Sequence, residues 1–254
     1  MLLRGCYYIS SLPDSFAKLI NLRHLDIRDT PELKKLPSGM SGLRSLQTLP
    51  KVIIEGDNGF KLSDLKDLLH LRGRLDIEGL HNVRDRHEAK EANLHQKKDL
   101  EFLKLEWGKE FDDSRNKMKE YEVLEGLRPN CKLRNLKIWY YGGMKFPSWV
   151  GDSSFNQLTK VTLDACRNCE YLPAVGQLGS LRELYVSNMN EVKTVGVEFL
   201  ASTSSFHGDA FPKLEVLSVI EMQSWERWSN SDADNGTRAT VFRCLRQINI
   251  RSCP

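Results

Sequence analysis

Apolar residues recur along this chain in a fixed phase, as an apolar residue, two others, an apolar residue, one other, and a third apolar residue. The phase appears at Leu22, Leu25 and Ile27, at Leu100, Leu103 and Leu105, at Leu133, Leu136 and Ile138, and at Leu158, Val161 and Leu163. It continues at Leu181, Leu184 and Val186, at Leu214, Leu217 and Val219, and at Leu245, Ile248 and Ile250, with weaker copies from Leu46 and Arg72. Successive copies start 23 to 33 residues apart. With the first residue of each copy as position one, position four is apolar in every copy. Position six is apolar in all but one, the exception being Lys51. The residue between them is usually polar, so each copy carries period-two strand alternation, one set of side chains inward and one outward. Stacked copies pair such strands into a parallel sheet over a continuous core.

This periodicity is the signature of a leucine-rich-repeat solenoid. The fold class it predicts is α/β: a horseshoe with a parallel β-sheet on its concave face and an irregular, short-helix convex side. The whole chain, 1–254, reads as one such domain of about ten repeats. Strands are predicted to centre on Ile27, Ile77, Leu105, Ile138, Leu163, Val186, Val219 and Ile250, most regularly from residue 133 onward. Three residues before position one lie Leu19, Leu43, Leu69, Phe155, Leu178, Phe211 and Phe242, which would fill the convex side; only Lys97 and Asn130 break this rule. Leu12-Pro13, Leu36-Pro37 and Leu172-Pro173 mark the return path, where proline fixes φ. The stretch 46–70 is predicted to be the least regular, because Pro50 and Lys51 interrupt it and proline cannot donate within a strand. Helices are expected at 87–98 and near 119–127. Polar or charged inserts swell the period near 109–122, 201–209 and 229–239.

Position nine holds Cys6, Thr30, Cys166 and Cys253 and never asparagine, so the loop backbone there must be satisfied in some other way. Leu3 and Cys6 fit positions six and nine of a copy starting before Met1, and Pro254 directly follows a position-nine cysteine. With no polar capping unit at either end, the expectation is a segment of a longer protein or a truncated gene product, frayed or aggregation-prone at both ends.

Composition narrows the function classes. A net charge of +3 over 254 residues gives no case for nucleic acid. No apolar run approaches the ~20 residues of a membrane span, and the N-terminus lacks a signal-peptide pattern. The sequon Asn235-Gly236-Thr237 is of a kind that arises by chance. Six cysteines without a disulfide framework, three of them at position nine, indicate buried thiols in a cytoplasmic protein. Cys166-x-x-Cys169 lacks the second ligand pair that zinc requires. His87-Glu88-Ala89-Lys90-Glu91 begins like a metalloprotease helix but carries Glu91 where the second histidine belongs. Asp112-Asp113 lies in a charged insert without the desolvated cleft that acid–base work needs. The chain is therefore expected to be no enzyme and to hold no metal or cofactor.

The outward strand positions carry the candidate binding chemistry. Trp107 and Trp139 with Tyr140 fall at positions seven and eight, and Tyr185 at position five. Large aromatics on a solvent-facing sheet are favoured as interface anchors. Either a ligand or partner domain covers them, or the 109–122 insert does. Arg134, Lys137 and Arg182, with Arg246 and Arg251, form a potential basic groove, although Glu183, Glu215, Glu221 and Asp164 mix acid into it.

Longer stretches are more distinctive than leucine spacing. They are Leu75-Asp-Ile-Glu-Gly-Leu-His-Asn-Val83, Glu88-Ala89, Ala92-Asn93-Leu94, Leu103-Lys-Leu-Glu-Trp107, Val123-Leu-Glu-Gly-Leu-Arg-Pro129 and Tyr141-Gly-Gly-Met-Lys-Phe-Pro-Ser-Trp-Val150. Cys166-Arg-Asn-Cys169, Leu172-Pro173, Gly176-Gln-Leu178, Val192-Lys193, Val195-Gly196 and Glu198-Phe199 follow. Through them the chain resembles the leucine-rich-repeat region of plant intracellular disease-resistance receptors of the coiled-coil nucleotide-binding branch. The resemblance implies that the region senses a pathogen effector, or a host protein altered by one. It also implies packing on the receptor's nucleotide-binding domain to hold it off. The chain has no Gly-x-x-x-x-Gly-Lys-Ser/Thr phosphate loop, so nucleotide switching does not belong to this polypeptide. The competing readings are a repeat adaptor that brings substrates to a ubiquitin ligase, which would need a ligase-binding helix that residues 1–20 lack, and a non-functional fragment.

Overall fold

The computed structural model describes residues 1–56, 59–111, 115–200, 209–228 and 242–254. The expected insert at 201–209 (all but Asp209), the insert at 229–239, the Asp112-Asp113 pair and the Asn235 sequon lie outside the described residues. The chain divides into two compact units, Met1–Glu110 with Glu122–Leu133, and Phe111–Tyr121 with Arg134–Pro254.

In the first unit, strands β1 (Lys51–Ile53), β2 (Arg72–Glu78) and β3 (Asp99–Glu106) pair in parallel in chain order. Before them the pairing thins to isolated parallel bridges, Leu2 with Asp26 and His24 with Thr48. The strand expected at Ile27 is thus not a full strand, although Leu25 and Ile27 are fully buried. Short 3-10 turns at Asp14–Lys18, Met40–Gly42 and Leu62–Asp67 make the return path and bury Phe16, Met40, Leu62 and Leu65. Pro13 caps the first of these turns.

Two registers differ from the sequence reading. His24 pairs with Thr48 in phase, yet Ile77 pairs with Val52, one residue later than the expected Lys51. One extra residue is inserted beside Pro50, so Val52 takes the inward place and Lys51 is left half-exposed. In the next repeat the register shifts between Gly73 and Arg74. Leu71 and Leu68 are therefore the buried residues, where the spacing had assigned Arg72 and Leu69. An extra residue in one strand of a pair accounts for both slips.

The helix expected at 87–98 is shorter: α1 covers Arg86–Glu91. Asn93, left-handed at φ 50°, ends it before a 3-10 turn at Leu94–Gln96. Asp85 caps α1, its carboxylate accepting from the Glu88 amide at 2.9 Å. The second expected helix is α2 (Lys117–Gly126).

The second unit holds β4 (Asn135–Trp139), β5 (Lys160–Asp164), β6 (Glu183–Ser187), β7 (Thr194–Val195), α3 (Val197–Leu200), β8 (Val216–Ile220), β9 (Arg227–Trp228) and β10 (Gln247–Arg251). Strands β4, β5, β6, β8 and β10 pair in parallel, residue for residue, with position four always beside position four. β7 and β9 form a separate parallel ladder on the loop side. Leu136, Ile138, Val161, Leu163, Leu184, Val186, Leu217 and Val219 are the inward rows. Ile248 and Ile250 occupy the same rows of β10 but are exposed.

Position eight explains how most strands end. Asp29, Tyr140, Ala165, Asn188, Glu221 and Ser252 all sit there with φ between 52° and 57°, and Gly5 and Gly79 sit there with φ of 75° and 82°. A left-handed residue turns the chain out of the strand and resets the alternation, so position nine comes inward. There the absent asparagine is replaced by small donors. Thr30 Oγ1 donates to Ile27 O at 2.7 Å, and the Cys166 thiol donates to Ile138 O of the preceding repeat at 3.7 Å. Cys253 donates to Arg251 O at 3.4 Å. Cys166 is fully buried as expected, whereas Cys6 and Cys253 are only partly buried.

Candidate protein-interaction site

Trp107 does not belong to the outward surface. It is 2% exposed and ranks among the largest buried side chains. The cause is local: Trp107 is at position eight but is not left-handed. Alternation therefore continues one step further, and 103, 105 and 107 all point inward. The remaining predicted residues lie on the strand face of the second unit. Trp139, Tyr140, Tyr185 and Lys137 are half-buried, and Arg134 and Arg182 are exposed.

Trp139, Lys137 and Tyr185 share one groove, of about 490 Å³, with Thr162, Asp164, Ser187 and Ile220. Parallel register sets its shape. Position seven reads Trp139, Asp164, Ser187, Ile220 across the strands, and position five reads Lys137, Thr162, Tyr185, Ser218. Small residues on β5 thus separate the Trp139 ring of β4 from the Tyr185 ring of β6, two strands over and two residues back along the strand. Tyr140 meets Trp139 edge-on at 6.3 Å but lies at the strand's exit, beyond the groove's lining.

The groove is electrostatically organised. Lys137 Nζ lies 5.5 Å from the Trp139 ring centre, and Lys160 Nζ 4.6 Å from that of Tyr185. Lys160 also donates to Glu183 Oε2 at 2.6 Å, and the Tyr185 hydroxyl donates to the same oxygen at 3.0 Å. These bonds hold Lys160 above its ordinary pKa and Glu183 below its own, while burial, with Glu183 beside it, raises Tyr185. Asp164 Oδ1 accepts from Ser187 at 2.6 Å and Asn188 at 3.0 Å. Arg182 pairs with Glu215. Three of the four acids that dilute the basic groove, Asp164, Glu183 and Glu215, are therefore engaged inside the sheet. Lys160 is the residue the sequence reading missed. Its polar position three, one strand from Tyr185, was the available signal.

A second arrangement fixes the loop after β4. Arg115 donates to both Glu120 oxygens at 2.7 Å and to Tyr140 O at 2.6 Å. Glu120 Oε2 accepts from the Gly142 amide at 2.6 Å. Residues 115 and 120 of the charged insert are thus anchored by a buried ion pair.

The nominal chemical motifs fold into structure. The Cys169 thiol donates to Gly143 O at 3.1 Å, and burial pushes both the Cys166 and Cys169 thiols far up, away from the reactive thiolate. Glu88, within the protease-like stretch, accepts from the Arg84 amide at 3.1 Å. Among the described residues no cluster of three or more histidine, cysteine or acidic side chains is placed to hold a metal, and no helix is long and apolar enough to cross a membrane.

Parallel strands in register, short turns on the return path and a left-handed residue closing most strands define a leucine-rich-repeat protein. Residues 62–189, half of the chain, match the family described as R13L1/DRL21 LRRs, and the chain belongs to that family. It is 40% identical over 217 residues to the putative disease resistance protein At3g14460 of Arabidopsis thaliana, covering 83% of this chain and 15% of that one. It is 34% identical to the putative disease resistance RPP13-like protein 1 of the same plant (98% and 29% covered), and 32% identical to the putative disease resistance protein RGA4 of Solanum bulbocastanum (98% and 24%). The chain spans less than a third of the length of each of these relatives. Among solved structures, the functional domain of InlJ from Listeria monocytogenes aligns at 13% identity and a TM-score of 0.42, covering 84% of this chain and 47% of that one.

Proposed function

We propose that this chain is the ligand-sensing repeat region of a plant disease-resistance receptor, acting in the cytoplasm by binding protein rather than by catalysis. Its partners on this reading are a pathogen effector, or a host protein modified by one, and the receptor's nucleotide-binding domain, against which the repeats pack to keep it inactive. The observation that carries the reading is the strand-face groove of the second unit, where Trp139 and Tyr185 are held by lysines over small polar residues. Half-buried aromatics with their cations already in place lose little side-chain freedom on binding, which favours them as anchors. The kinship with disease-resistance proteins supplies the partner class.

Site-specific photocrosslinking tests this. A benzophenone amino acid is placed at Thr162 on the strand face or at Lys18 on the return path, and the chain is expressed in pathogen-challenged plant tissue. The reading expects adducts with an effector, a host target or a nucleotide-binding domain from Thr162 and not from Lys18. The same adducts from both positions would sink it.

A further inference from the structure

We infer that the strand face of the second unit docks an extended acidic segment of its protein partner, with one large apolar side chain inserted between Trp139 and Tyr185. This rests on the protein-binding reading above and names the chemistry of what binds.

Shape gives the anchor. The groove's volume, about 490 Å³, exceeds one large side chain. Its walls are the two rings, and its floor is Thr162 and Ser187, which cannot fill the gap themselves. An aromatic or long aliphatic side chain entering there would meet a ring on each side. Lys137 stands at one wall and Lys160, already held by Glu183, at the other.

Charge gives the flanks. On this face the cations are Arg134, Lys137, Lys160, Arg182, Arg246 and Arg251, and the acids are Asp164, Glu183, Glu215 and Glu221. Three of the four acids are engaged within the sheet: Glu183 by Lys160 and Tyr185, Glu215 by Arg182, and Asp164 by Ser187 and Asn188. Arg134, Arg246 and Arg251 are exposed and make no ion pair among the described residues. A basic partner would have to break a sheet-internal pair to find a carboxylate. An acidic partner finds guanidinium groups open on both sides of the groove, and such complementarity speeds encounter and sets specificity.

The test uses the full chain and fluorescent heptapeptides. One is six glutamates around a central tryptophan, one replaces the tryptophan by serine, and one replaces the glutamates by lysine. Polyuridylate serves as a competitor. The acidic tryptophan peptide should bind most tightly, and the serine peptide at least tenfold more weakly. Arg134→Glu with Arg246→Glu should cost the acidic peptide tenfold or more, as should Thr162→Trp, which fills the groove while leaving every charge in place. Circular dichroism should show the wild-type fold in both variants. Equal binding of the lysine peptide, indifference to both variants, or full displacement by polyuridylate would overturn the inference. So would no binding by any peptide. Photocrosslinking from Thr162 would still report on the broader reading, so the two can fail separately.

Discussion

Arg115 and Glu120 form a bidentate ion pair, both contacts at 2.7 Å, with side chains only 9% and 5% exposed. Through it a charged insert grips the β4 exit, Arg115 by the Tyr140 carbonyl and Glu120 by the Gly142 amide. A buried charge stripped of its partner is costly. Glu120→Ala should therefore lose about 3–5 kcal/mol of stability. The double variant Arg115→Met with Glu120→Leu, which removes both charges, should lose less than either single change. Urea unfolding of the three variants checks this, and additive losses would contradict it.

Gly142 faces that ion pair, and the next residue, Gly143, faces the Tyr141 ring. A Cβ on Gly142 would stand 2.9 Å from Glu120 Oε2, and one on Gly143 would stand 2.1 Å from the Tyr141 hydroxyl, which donates to Lys145 O. Gly143→Ala should cost roughly 2 kcal/mol, within the range for overpacking. Because the ring carbon Cζ would also stand 2.3 Å away, Tyr141→Phe should leave the clash in place, whereas Tyr141→Leu, which withdraws the ring, should cost less in the Gly143→Ala background than in the wild type. Thermal melts of the single and double variants decide it.

Lys97 is one of two exceptions to the apolar row before position one, and its side chain is nevertheless fully buried. Its ammonium donates to Leu65 O at 2.7 Å and Leu68 O at 2.9 Å, at the end of the Leu62–Asp67 turn. Burial lowers its pKa to about 8, with Asp67 opposing. The unfolded chain holds that proton up to about 10.4. Between those values the unfolded state binds more protons, so this group makes stability rise with pH across about 8 to 10.5. Lys97→Met should flatten that rise while keeping the packing. Lys97→Ala should cost about 2–5 kcal/mol at any pH, because it also opens a cavity. The readout is denaturant midpoint against pH.

Positions four and six were legible because a buried sheet face leaves a period-two trace in sequence, and the register of β4, β5, β6, β8 and β10 follows from it. Two slips at Pro50 and Gly73 were not legible. A one-residue insertion leaves nearby leucines, such as Leu68 and Leu69, equally plausible as the buried one. Trp107 left no usable signal: Tyr140, an equally bulky aromatic at position eight of the next repeat, is left-handed, so size there does not separate a strand that ends from one that runs on. The groove was half legible: its aromatics stood out, but Lys160 over Tyr185 appears only once neighbouring strands are in register. The Arg115–Glu120 pair leaves no periodic trace at all, since it lies within an insert and reaches a loop only through Tyr140 O and the Gly142 amide.

The measurement closest to the central claim compares Trp139→Ala with Trp107→Ala in both thermal stability and partner capture from Thr162. Trp107 is core, and its loss should cost about 3–5 kcal/mol. Trp139 lines the open groove, and as a binding anchor its loss should weaken capture by about 2 kcal/mol, roughly thirtyfold, with the melting temperature nearly unchanged. A Trp139→Ala chain that melts early yet captures its partner as well as wild type would place that ring in the core and contradict the account.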